Sequence, residues 1–73
     1  MAEHIVEAPA AGKVLRVLAT PGTSVAEGDR VCVLEALKME LPIVAPVSGT
    51  VKTVPVSAGQ AVEAGDTLAI IEG

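Results

Sequence analysis

The sequence has no phenylalanine, tyrosine or tryptophan, one cysteine and one histidine. Without aromatic rings nothing can stack on a base. The five cations, Lys13, Arg16, Arg30, Lys38 and Lys52, are scattered along a chain of formal charge −4. Both facts argue against nucleic-acid binding. A lone Cys32 rules out an internal disulfide. Flanked by Val31 and Val33, it reads as a small buried hydrophobe. His4, expected at the surface, has no partner for catalysis or metal binding. The chain contains no His–acid–nucleophile set, no metal-ligand spacing and no phosphate loop, so neither an enzyme nor a metal site is expected. No apolar run approaches the ~20 residues of a membrane helix. The start, MAEHIVEAP, lacks the basic segment and apolar stretch of a secretory signal. A cytoplasmic location is expected.

What is present is a 73-residue chain that is 51% hydrophobic. One domain over residues 1–73 is expected. Chains of this size bury only about 60% of the surface exposed on unfolding. A core of Val, Ile, Leu and Ala suits two thin, closely packed layers, and offers no bulky walls for a deep pocket.

The most informative feature is an internal repeat. A shift of 37 positions lays residues 8–36 onto residues 45–73. Ala8 and Pro9 fall on Ala45 and Pro46; Gly12, Gly22 and Gly28 fall on Gly49, Gly59 and Gly65; Asp29 falls on Asp66 and Glu35 on Glu72. Glycines held at equal intervals mark turns. The β-branched runs between them, KVLRV and TVKTV, RVCVLE and TLAIIE, read as strands. A half this small cannot bury its own apolar face. The expected fold is all-β: a flattened barrel or sandwich of two small antiparallel sheets related by a pseudo-twofold axis. The Gly28-Asp29 and Gly65-Asp66 pairs read as turns whose aspartates bond the backbone.

The repeat also decides the segment DRVCVLEALKMEL. Taken alone it has helical composition and helical spacing of Val33, Leu37 and Leu41. Its twin, DTLAIIEG, stops at Gly73 without room for a helix. The spacing therefore predicts a strand over Val31–Glu35, a turn at Leu37–Lys38, and a second strand in which Met39, Leu41 and Ile43 alternate with Glu40, Pro42 and Val44. Pro42 confines that strand to an edge or to a position needing no amide donor. Tight hairpins prefer Asn-Gly or Gly-containing pairs. Leu-Lys breaks that preference, and a local rule broken in an otherwise consistent sequence points to function. Lys38 falls on Met1 under the shift, so the hairpin and the chain termini are expected at opposite poles. The plain reading is a solvated surface lysine. The sharper one is an amine displayed for covalent attachment, with Leu37 and Met39 as apolar contacts for the attaching enzyme.

The stretch EALKM resembles EAMKM, the attachment motif of biotinyl domains, which belong to biotin carboxyl carrier proteins and biotin-dependent carboxylases. The resemblance extends through MELPIVAPVSGTV and GQAVEAGDTLAIIE, nearly the whole chain. It implies a lysine, here Lys38, amide-linked to biotin by a biotin protein ligase that supplies the activated cofactor. Leu37 and Met39 would contact that ligase, and Glu35 would steer it or exclude the lipoate machinery. Because Glu35 falls on Glu72, away from the tip, a structural role for it stands equally. The loaded arm would swing between a biotin carboxylase and a carboxyltransferase or decarboxylase, the carrier performing no catalytic step. Leu37 departs from the usual Met, a swap of similar volume. Lipoyl domains share the fold but carry Asp-Lys-Ala at the motif. The alternatives are a lipoyl carrier, or an unmodified structural domain of a larger complex.

Overall fold

The computed structural model describes residues 2–73, and Met1, the expected counterpart of Lys38, lies outside them. Eight strands follow in order: β1 (Glu3–Glu7), β2 (Gly12–Val17), β3 (Ser24–Val25), β4 (Arg30–Ala36), β5 (Met39–Val44), β6 (Gly49–Thr53), β7 (Ala61–Val62) and β8 (Thr67–Glu72). They form two four-stranded antiparallel sheets, ordered β1-β8-β6-β3 and β5-β4-β2-β7. The shift of 37 carries β1, β8, β6 and β3 onto β5, β4, β2 and β7, so one sheet order maps onto the other. The body measures 35 × 17 × 17 Å. Among the described residues no helix is long and apolar enough to cross a membrane.

The core lies between the sheets and repeats the symmetry. Its largest wholly buried side chains include Val14, Val31 and Leu34 and their twins Val51, Leu68 and Ile71. Cys32 is wholly buried opposite Ile43, and burial pushes its thiol up. A thiol so placed is a packing group and not a nucleophile. Among the described residues there is no pocket.

The halves are stitched together by exchanged loops. Gly22 N–H donates to the Val51 carbonyl (2.8 Å), and its twin Gly59 donates to Val14 (2.6 Å). Ala45 N–H donates to Asp29 (2.8 Å), and Ala8 to Asp66 (2.9 Å). Each half therefore satisfies backbone groups that the other would otherwise bury unpaired. The glycine–aspartate turns form as expected. Gly28 and Gly65 adopt φ of 91° and 89°, where a side chain is strained. The carboxylates of Asp29 and Asp66 then accept from the amides of Ala26 (2.9 Å) and Glu63 (2.8 Å). Asp29→Ala is expected to cost about 1 kcal/mol, the net value of one such bond, and Asp66→Ala the same; chemical denaturation measures both.

Two features go beyond what the sequence predicts. The segment around His4 forms a strand, β1, and His4 is half-buried. It shares a face of β1 with buried Val6, two residues on. The chain ends also pair: Ala2 N–H donates to Gly73 O (3.2 Å) and Gly73 N–H to Ala2 O (3.1 Å). This rung is the twin of Ala36–Met39, from which the opposite hairpin springs.

Candidate functional site

The hairpin is built where strand pairing runs out. β4 and β5 pair down to the rung Ala36–Met39, leaving two residues, Leu37 and Lys38, to reverse the chain. Their φ values are 53° and 64°, among the described residues the only positive values outside glycine. Positive φ at both central positions is the type I′ pattern, whose twist matches that of the strands it joins. The left-handed region costs an L-residue roughly 1–2 kcal/mol. Leu37→Asn places a residue that tolerates this region at the same position. It is expected to raise stability by about 1 kcal/mol, or roughly 4–8 °C in Tm for a domain of this size, read by thermal unfolding.

The strained turn holds its side chains outside the body. Leu37 is 91% exposed and Met39 63%, and Lys38 is exposed between them. Among the described residues no side chain forms a hydrogen bond or ion pair with the Lys38 amine. Pro42 lies on β5, the edge of its sheet, where its missing N–H leaves the ladder intact.

Below the tip, the rung Lys13–Glu35–Glu40 crosses three strands. Like charges directly opposite each other destabilise a sheet. Glu40 is met by Arg16 at 3.9 Å, both side chains more than half exposed. A pair so open contributes roughly 0–1 kcal/mol. The Glu35 carboxylate is exposed, and among the described residues it makes no ion pair or hydrogen bond. The structural part of this residue is its carbonyl. A Cβ built on Gly12 would collide with that oxygen, so glycine there lets β2 pass close against β4 at the base of the hairpin. A Cβ on the twin, Gly49, would collide with the Glu72 carbonyl in the same way.

Lys38, Leu37 and Met39 thus converge on the tip, and Glu35 sits one rung beneath it. Sequence reasoning missed Gly12 as the hairpin's anchor and missed the company of Lys13 and Arg16. The cations, scattered in sequence, share one sheet: Lys13, Arg16 and Arg30 lie on the second sheet and Lys38 on its hairpin. Among the described residues no group of His, Cys, Asp and Glu is placed to hold a metal ion.

The hairpin thus carries Lys38, exposed, at one pole of a two-sheet body. The family model described as "Biotin-requiring enzyme", that of the biotin–lipoyl family, matches residues 4–71, and the chain belongs to this family. It is 53% identical over 38 residues to pyruvate carboxylase of Pichia angusta, covering 52% of this chain and 3% of that protein. A solved single-chain, multi-domain long-chain acyl-CoA carboxylase matches at 37% identity and a TM-score of 0.87, covering 93% of this chain and 7% of that one. The urea carboxylase of Kluyveromyces lactis matches at 32% identity and a TM-score of 0.91, covering 99% of this chain and 6% of that one. The chain thus spans a small part of the length of each of these relatives.

Proposed function

We propose that this chain is a biotin carrier whose Lys38 is acylated by a biotin protein ligase. The observation that carries the reading is the type I′ turn, which spends backbone strain to hold an unpartnered amine between two exposed apolar side chains. The residues fit the group. An amide to the biotin carboxyl needs a free amine within reach of an enzyme, and the tip supplies one without any intramolecular partner to displace.

Attachment forms a C–N bond between Nζ and the activated carboxyl carbon, and the activating group leaves. The amine sheds its proton in the process. Among the described residues no base engages it, so the ligase accepts that proton. Leu37 and Met39 offer the ligase apolar contact area, and the two-residue turn fixes the direction in which all three side chains point. When bound, biotin supplies a ureido nitrogen that carries a carboxyl group between active sites. The chain's own part is placement. Its β body holds the anchor point rigid, and the extended arm reaches on the order of 10–15 Å from Cα. Tethering raises the local concentration at each partner to roughly mM. The partners that follow from this reading are a biotin carboxylase and a carboxyltransferase or decarboxylase.

Biotin is favoured over lipoate by Leu37 and Met39, which differ from the Asp-Lys-Ala of lipoyl domains. The carboxylase relatives support the same choice. Incubating the purified chain with a biotin protein ligase, and separately with a lipoate ligase, tests it by intact mass. One biotin-sized addition per chain is expected from the first enzyme and none from the second. The reverse pattern would make the chain a lipoyl carrier, and no addition from either would leave a structural domain.

A further inference from the structure

The pseudo-twofold gives each surface residue a twin on an equivalent backbone, and so an internal control for what the fold requires. At the hairpin pole the rung runs Lys13–Glu35–Glu40; at the terminal pole its twin runs Thr50–Glu72–Glu3. Both keep two glutamates opposite each other, so the acid pair does not distinguish the hairpin. The next rung shows the same contrast. Arg16 stands beside Val33 and Pro42 where Thr53 stands beside Ile70 and Ile5. All four of Lys13, Arg16, Thr50 and Thr53 are exposed. Threonine at both positions of β6 proves compatible with the fold, and it is the better strand former. The two cations of β2 are therefore surplus to the architecture.

Neutralising the glutamates accounts for only one of them. At the terminal pole one cation, Lys52, pairs with Glu3. At the hairpin pole Arg16 alone meets Glu40, and among the described residues Lys13 makes no ion pair. The wider distribution is polarised. The second sheet and its hairpin carry Lys13, Arg16, Arg30 and Lys38 against Glu35 and Glu40. The strands of the first sheet carry Glu3, Glu7 and Glu72 against Lys52, and the loops add Glu27, Asp29, Glu63 and Asp66.

We propose that Lys13 and Arg16 are a docking surface for the biotin ligase, received by an acidic rim around that enzyme's active site; this rests on the attachment reading above. The ligase is the occupant because acylating Nζ requires its active site to close over the tip itself. Lys13 lies one rung, about 3.4 Å along the strand, below the Ala36–Met39 pair, one strand (about 4.8 Å) across from β4 and two (roughly 10 Å) from β5. A body that covers the tip covers these rungs. Enzymes served later by the extended arm can stand further off. An acidic rim is attracted to this one face of a chain of charge −4 and repelled by the others, which orients the encounter before contact.

The test replaces both cations by the residues of their twins, Lys13→Thr with Arg16→Thr, and follows initial rates of biotinylation by the ligase of the source organism, by intact mass, at low and high salt. Lys52→Thr, at the other pole, is the control, and Lys13→Arg with Arg16→Lys keeps the charge. Thermal unfolding of every variant reports the fold. The expected result at low salt is about a tenfold fall in kcat/KM for the threonine pair, carried by KM, with most of the salt dependence gone. Complete labelling is still reached at long times, the charge-keeping pair matches the parent, and the Lys52 variant is unaffected. A threonine pair that is folded and labelled within twofold of the parent rate, with unchanged salt dependence, overturns the proposal. If the parent chain takes up no biotin at all, the attachment reading itself falls and takes this proposal with it.

Discussion

Lys38→Arg is expected to leave a folded domain that accepts no biotin. Arginine keeps the positive charge and the long aliphatic stem, and it sits as readily as lysine at an exposed tip. Stability should stay within about 0.5 kcal/mol of the parent, as for surface substitutions generally. What changes is nucleophilicity. The guanidinium is delocalised and remains protonated throughout the physiological range, so it has no lone pair to form an amide. Intact mass after exhaustive treatment with ligase should show one addition on the parent and none on the variant. An addition that persists would shift the assignment to Lys13 or Lys52, the other lysines of the chain.

Gly12→Ala is expected to carry the largest cost to stability. The new methyl group would fall on the Glu35 carbonyl oxygen, with the carbonyl carbon at 3.2 Å and Ala36 Cβ at 3.3 Å. These are backbone and strand atoms, and no flexible side chain can turn away. β2 and β4 must part where the hairpin begins. Overpacking of this kind costs about 3 kcal/mol. A domain of this length has roughly 4–11 kcal/mol in total on the usual per-residue scale, and its small core places it low in that range. Thermal unfolding should fall by roughly 12–24 °C. Gly49→Ala should fall similarly, because its Cβ meets the Glu72 carbonyl in the twin setting. The two differ in what they disturb. At a temperature where both remain folded, Gly12→Ala should label more slowly than the parent and Gly49→Ala at the parent rate. An unchanged Tm in Gly12→Ala would mean that the strands do not approach as closely as described.

Much of this molecule is legible in one dimension because it is written twice. The composition of DRVCVLEALKMEL suits a helix, and the strand-like twin DTLAIIE argues against one; β4 and β5 are what the structure shows. The same doubling placed the turn at Leu37–Lys38, and local turn chemistry alone would not have put it there. β1 escaped notice because EHIVE turns a histidine to the face it shares with Val6 and leaves Ile5 56% exposed. Its strand character comes from the partner it completes, β8. The shift, carried further back, lays EHIVEAP on ELPIVAP and would have exposed it. β3 and β7 are two residues each, too short to show a period.

At the site, the three consecutive residues Leu37, Lys38 and Met39 stand out by contrast with their surroundings. Gly12, Lys13 and Arg16 do not. They join the hairpin through cross-strand rungs that link positions about twenty residues apart, such as Lys13 with Glu35. No periodicity within one strand records such a partnership. Glu35 illustrates the limit from the other side: its repetition as Glu72 suggested a structural side chain, whereas the carbonyl is what Gly12 must pass.

One amine held outward by a strained turn is the proposed point of acylation. Peptide mapping by tandem mass spectrometry of the protein isolated from its own cells tests it most directly. The expected result is a single biotin, located on the Lys38 side chain. A chain recovered unmodified from cells replete in biotin, or one modified at Lys13 or Lys52 with Lys38 free, would contradict it.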